Sequence, residues 1–262
     1  MSTTIAQDNK RRNLFLTLSG IFIANALLAE LIGVKIFSAE ALLGLPGAQV
    51  PILGTKLDFN LTAGVIIWPV VFITTDIINE YFGKAGVKKI SILTVLLIIY
   101  AFVVISIVSG LPPAAFWLEI NNADAAGNPF NIDYAFSSIY RQGLGIIIGS
   151  VIAFLISQFL DASVFHWLRR HTGSKKIWLR ATGSTLVSQL IDSIVVLFVA
   201  FYLFGDWSLT MVMSVAAINY LYKFLVAVVL TPLLYIAHYI IDAYLGKQQA
   251  EVLMQEAASK EE

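Results

Sequence analysis

Long apolar runs separated by short polar breaks fill most of the chain. Residues 90–111, ISILTVLLIIYAFVVISIVSGL, give 22 positions without a charge. As a helix that is enough to cross a hydrocarbon core about 30 Å thick. Runs of the same kind place six spans, at about 14–34, 61–79, 88–110, 142–163, 181–204 and 212–240. Residues 36–60, with GLPG, PILGT and LDFN, read as a short extended hairpin or loop, because Gly, Pro and Asn there favour turns. The longest connection, 111–140, carries Pro112–Pro113 and the polar stretch NNADAAGN. From Gly246 onward the chain is polar and helix-prone. The expected layout is a segment 1–13, a six-helix transmembrane domain 14–245 and a polar tail 246–262.

Composition agrees with the pattern. The chain has 262 residues, 58% hydrophobic and 13% charged, with a mean hydropathy of +0.80; soluble domains average about 25% charged. The fold class is an all-α polytopic membrane protein. The absence of cysteine excludes disulfides, thiolate metal sites and cysteine nucleophiles. Lys10, Arg11 and Arg12 before an apolar run resemble the start of a signal peptide. The run is too long for one and further spans follow, so an uncleaved first helix is expected.

Six spans put both termini on one side, and Lys and Arg sort accordingly. The termini and the 2–3 and 4–5 loops hold Lys10, Arg11, Arg12, Lys84, Lys88, Lys89, Arg169, Arg170, Lys175, Lys176, Arg180, Lys247 and Lys260. The other side holds Lys35, Lys56 and Arg141, and Lys223 falls within the last span. Positive charge is retained on the cytoplasmic side, which places both termini, with the tail, in the cytoplasm.

Polar groups inside the spans are the candidates for chemistry, since a carboxylate at mid-membrane costs about 2.5–3.5 kcal/mol. The run 61–83 ends in Asp76, Asn79 and Glu80, at i, i+3 and i+4 on one helical face. They either feed a polar cavity or end the helix in the headgroup zone, beside Lys84, Lys88 and Lys89. The strings SQFLD (157–161) and SQLID (188–192) form a weak repeat, each with Gln and Asp on one face. Asp192 is the deepest carboxylate by sequence, whereas Asp161 is expected near an interface. Lys223, with Asn219 one turn earlier, is the other costly group. Asp192 and Lys223 can form a packing ion pair, serve ligand or proton handling, or both. Gln and Asn donate and accept hydrogen bonds, and a carboxylate accepts two parallel N–H bonds. Together with Trp68, Phe72, Tyr81 and Phe116 as stacking surfaces, this set suits a small, flat, hydrogen-bonding solute. No HExxH, GxSxG or Gly-rich phosphate loop is present, and the three histidines have no metal-ligand spacing. No enzyme activity, cofactor, metal or nucleic-acid partner is expected.

The segment TAGVIIWPVVFITTDIINEYFGKAGVKK resembles the signature of the queuosine-precursor transporters, a vitamin-uptake-transporter-like family. So do SQFLDASVF, WLRATGSTLVSQLIDSIVVLF and YLYKFLVAVVLTPLLY. The resemblance implies a six-helix, multi-pass importer of the cell inner membrane, similar to the substrate-binding subunits of energy-coupling-factor vitamin transporters. It implies uptake of 7-deazaguanines (preQ0, preQ1 or queuine), with Asn25, Lys35, Asp76, Asn79, Glu80, Gln158, Gln189, Asp192 and Lys223 as binding or gating residues. On this reading Glu80 or Asp76 meets the N1–H/2-amino edge of the base. If the pocket faces outward they instead gate the cytoplasmic end, closing against Arg180 or Lys88. A self-sufficient secondary carrier, proton-coupled through Asp192, is the preferred form. A capture subunit for a vitamin or nucleobase, dependent on a separate ATP-driven module, is the alternative. The lipid bilayer is the expected macroscopic partner, and homo-oligomerisation stays open.

Overall fold

The computed structural model describes residues 2–141, 144–172 and 176–259; Lys175 and Lys260 lie outside them. The first helix, α1 (Ser2–Ile32), leads into a small cap. There β1 (Ile36–Ser38) is followed by α2 (Ala39–Leu42), β2 (Val50–Ile52), β3 (Thr55–Leu57) and β4 (Asn60–Thr62). β1 pairs antiparallel with β4, Ile36 opposite Thr62, and β2 pairs with β3, Val50 opposite Leu57. Leu53 and Gly54 both have positive φ, the backbone a two-residue hairpin turn needs to match strand twist. The cap is organised on Glu40. Its Oε1 accepts from the N–H groups of Phe59 (2.7 Å) and Ala48 (3.3 Å), and its Oε2 from Ser38 Oγ (3.0 Å). These bonds, the Phe59 one foremost, hold the Glu40 carboxyl below its ordinary range.

The remaining helices are α3 (Trp68–Val108), α4 (Ala115–Ile120), α5 (Ile132–Tyr140), α6 (Leu144–Thr172), α7 (Ile177–Leu197), α8 (Leu209–Leu245) and α9 (Lys247–Ser259). Pro69 sits in the first turn of α3, where a missing N–H costs nothing. Ser208 caps α8 by accepting from the Met211 N–H, and Gly246 ends it with φ 88°. α7 runs on into a π-helical stretch, Phe198–Leu203.

Among the described residues five helices are long and apolar enough to cross a membrane. The second and third expected spans lie on one of them, α3. At 41 residues a straight helix would be about 60 Å long, but Gly83 interrupts it with φ 71° and ψ −177°. A Cβ on Gly86 would lie 3.3 Å from Ile78 Cγ2, where eight residues of continuous helix would separate them by about 12 Å. The two arms of α3 therefore fold sharply against each other. Only glycine adopts that backbone without strain.

The two ends of the bundle differ. At one, Lys10 Nζ donates to Tyr244 O (2.8 Å), Gln249 Nε2 to Gln7 O (3.1 Å), and Arg11 pairs with Glu256 (3.1 Å). The N-terminal part of α1, the end of α8 and α9 thus meet there; α9 buries Ala250, Leu253 and Ala257. At the other end the cap packs on α8, with Ser214 Oγ donating to Ile52 O at 3.4 Å. The exterior is unusually apolar, with Val229, Tyr239 and Ile240 exposed, while Asp76, Asn79, Glu80, Asp161, Arg180 and Gln189 are buried beside an apolar core that includes Phe22, Ile78 and Phe165. An apolar exterior over buried polar groups is what a bilayer selects.

Candidate functional site

The polar side chains of the spans separate into two groups. Toward the cap, a cavity of 160 Å³ is lined by Glu30, Gln158, Gln189, Asp192 and Lys223, with Trp68 and Phe72 along its wall. It matches in size the ~150 Å³ that accommodates a benzene ring. α1 supplies Glu30, α6 and α7 the two glutamines and Asp192, and α8 the lysine. α6 and α7 lie close: a Cβ on Gly149 would be 3.0 Å from Val196 O, the small-residue contact typical of membrane helices.

Lys223 Nζ binds Asp192 Oδ2 at 2.5 Å, with 16% and 21% of the two side chains still exposed. Ser150 Oγ donates to Glu30 Oε2 at 2.9 Å, and Glu30 lines the same cavity as Asp192. Gln158 Oε1 accepts from Thr75 Oγ1 at 3.2 Å, whereas the buried Gln189 Oε1 has no hydrogen-bond partner among the described residues. Trp68 and Phe72 stack 5.9 Å apart at 15°. The wall thus offers two carboxylates, two amides, one ammonium and a flat aromatic face.

The second group lies toward the end where the termini meet. Glu80 is held by Arg180, Nη2 to Oε1 at 2.6 Å and Nε to Oε2 at 3.0 Å, with each side chain 1% exposed. Arg169 approaches Glu80 Oε1 at 3.6 Å and donates to Met254 O of α9 at 2.7 Å. Asn79 Oδ1 meets His166 Nε2 at 2.7 Å. The shared helical face of Asp76, Asn79 and Glu80 therefore splits: Glu80 turns to α7, Asn79 to α6, and Asp76 lines a separate 50 Å³ cavity with Thr185, Tyr222 and Lys223.

Four of the nine residues nominated from sequence thus meet in the larger cavity: Gln158, Gln189, Asp192 and Lys223. Asp76, Asn79 and Glu80 do not line it. Neither does Asn25, whose amide returns to Ile21 O (2.7 Å), nor Lys35, which is exposed. Glu30 was missed as a site residue, although an acid sixteen residues into an apolar run was a visible signal. Asp192 opens on the cavity with 21% of its side chain exposed, whereas Glu80 is 1% exposed. Asp161 is 5% exposed and faces α7, where Ser188 Oγ donates to its Oδ1 at 3.2 Å. Of the aromatics, Tyr81 is taken up by Asp242 (2.6 Å) and His238 (2.9 Å), and Phe116 lies exposed on α4.

Residues 62–237 match the family described as putative vitamin uptake transporter. The chain belongs to that family. The match contains both polar groups apart from Glu30. Curated relatives agree: a probable queuosine precursor transporter of Bacillus subtilis is 29% identical over 193 residues, 72% of this chain and 78% of the relative. The queuosine precursor transporter of Escherichia coli is 29% identical over 187 residues, 69% and 73% of the two chains. A probable queuosine precursor transporter of Haemophilus influenzae is 24% identical over 186 residues, 68% and 69%. No solved structure matches. With these relatives named as transporters and its long apolar helices, the chain is a multi-pass membrane protein of a transporter family.

Proposed function

We propose that the protein imports a 7-deazaguanine precursor of queuosine across the cell inner membrane, as a self-sufficient secondary transporter and not as an enzyme. The observation that carries this reading is the convergence of Glu30, Gln158, Gln189, Asp192 and Lys223 on one cavity walled by Trp68 and Phe72. A deazaguanine presents a donor edge, N1–H and the 2-amino group, to a carboxylate, and acceptor atoms to amide N–H groups. Glu30 or Asp192 takes the donor edge, Gln158 and Gln189 complete it, Lys223 holds Asp192 in place through its ion pair, and the stacked aromatics cover the ring.

In this account the arms of α3 are two crossings, making six, and both termini are cytoplasmic. The meeting of the N- and C-terminal segments at one end supports an even number of crossings, and the excess of Lys and Arg there supports the cytoplasmic orientation. The cavity then faces outward, and Glu80, Arg180, Arg169 and Asn79 close the cytoplasmic end as a gate. The test is uptake of labelled preQ1 by cells expressing Asp192→Asn or Gln189→Ala at wild-type levels. Loss of import supports the assignment; unchanged import removes both residues from the pocket.

A further inference from the structure

The two SQxxD strings end in aspartates with different surroundings. Asp192 has Lys223. Asp161 lies on α6 and Asp76 on α3, on facing turns flanked by the Thr75–Gln158 (3.2 Å) and Asn79–His166 (2.7 Å) hydrogen bonds between the two helices. They are 5% and 6% exposed, and among the described residues neither is in an ion pair. Asp161 Oδ1 accepts from Ser188 Oγ at 3.2 Å, and Ser184 and Thr185 present further hydroxyls to it. Asp161 Oδ2 and Asp76 Oδ1 are buried without a hydrogen-bond partner, and Asp76 borders the 50 Å³ cavity. The other charged or titratable groups facing this place are engaged or neutral. Glu80 is bound by Arg180, His166 by Asn79 and Lys223 by Asp192, while Tyr222 lines the same small cavity. Two buried carboxylates on facing turns of neighbouring helices, without a counter-charge among the described residues, must be neutralised by something small. An all-oxygen setting of carboxylates and hydroxyls suits a hard cation.

We propose that Asp76 and Asp161 form the binding site of the coupling cation, a proton or a sodium ion, distinct from the solute cavity. Lys223 borders both cavities, and this links them. With the cation present, Asp76 has no need of the ammonium, and Lys223 stays on Asp192. When the cation leaves, the bare carboxylate of Asp76 draws Lys223 away from Asp192 and alters the solute cavity. The inference rests on the secondary-transporter reading and moves the coupling role from Asp192 to the Asp76–Asp161 pair.

The experiment uses the full chain in proteoliposomes. In the wild type an imposed pH gradient or an imposed sodium gradient drives accumulation of labelled preQ1; the effective gradient names the ion. Asp161→Asn is expected to lose about tenfold or more of this driven accumulation while still exchanging preQ1 by counterflow, which also shows that it is folded. Asp161→Asn or Asp76→Asn accumulating preQ1 as the wild type does would overturn the proposal. If the wild type shows no counterflow, the solute reading fails by itself. The cation site is then judged from the melting temperature of the purified protein. A sodium or pH dependence that disappears in Asp161→Asn supports it, and the same dependence in both proteins overturns it.

Discussion

The cavity near the cap and the cluster near the termini use the same kind of pair, a carboxylate with a long basic side chain, in opposite ways. Glu80 and Arg180 are 1% exposed, bidentate, and backed by Arg169. Asp192 and Lys223 make one contact on a cavity wall and stay partly open. A fully enclosed, geometrically satisfied pair adds little net stability but is costly to break, because each partner left alone is a buried charge. A partly open pair is cheap to break, and its groups can turn to a ligand. Burial therefore distinguishes the two pairs where residue type does not.

The comparison is broken most severely by removing one side of the enclosed pair. Arg180→Ala is expected to destabilise the protein by about 3–5 kcal/mol, seen as loss of folded protein in detergent. Lys223→Ala is expected to cost about 1 kcal/mol or less and to abolish solute binding instead. Equal losses of stability would erase the distinction. Next is Gly83→Ala, which forces a side chain into a backbone region nearly exclusive to glycine, at about 1–3 kcal/mol in unfolding experiments. An unchanged stability would show that the chain does not turn at Gly83. Gln189→Ala is expected to weaken solute affinity about tenfold, ~1.4 kcal/mol, measured by titration. Its stability hardly changes, since Oε1 has no bond to lose.

The smallest effect concerns the cap. The folded-state Glu40 carboxyl sits below its unfolded value, so its contribution to stability is complete above the ordinary carboxylate range. It is lost as pH falls through and below that range, about 4.3 for an unperturbed Glu. Hydrogen exchange at the Ala48 and Phe59 amides should accelerate on that acid limb, and Glu40→Gln should remove the dependence.

Much of the fold was legible because bilayer thickness fixes helix length and apolar runs mark it. The cap was legible as an extended hairpin from Gly, Pro and Asn, and Asp192 with Lys223 as the two costly groups of spans five and six. The splitting of Asp76, Asn79 and Glu80 was not. Helical spacing gives a direction around one axis, but which neighbour lies in that direction depends on how the helices are rotated and packed. Glu30 is brought to Asp192 and Lys223 only by tertiary packing, and Asn25, on the same helix, bonds its own backbone instead.

The central claim is that the cavity between α1, α6, α7 and α8 recognises a deazaguanine without help from another subunit. The most direct measurement is preQ1 binding to the purified wild-type protein, beside Asp192→Asn, by thermal shift and titration calorimetry. Stabilisation of the wild type is expected at micromolar or lower preQ1, with little or none for Asp192→Asn and similar melting temperatures in the absence of solute. Equal stabilisation of both proteins, or of neither, would contradict it.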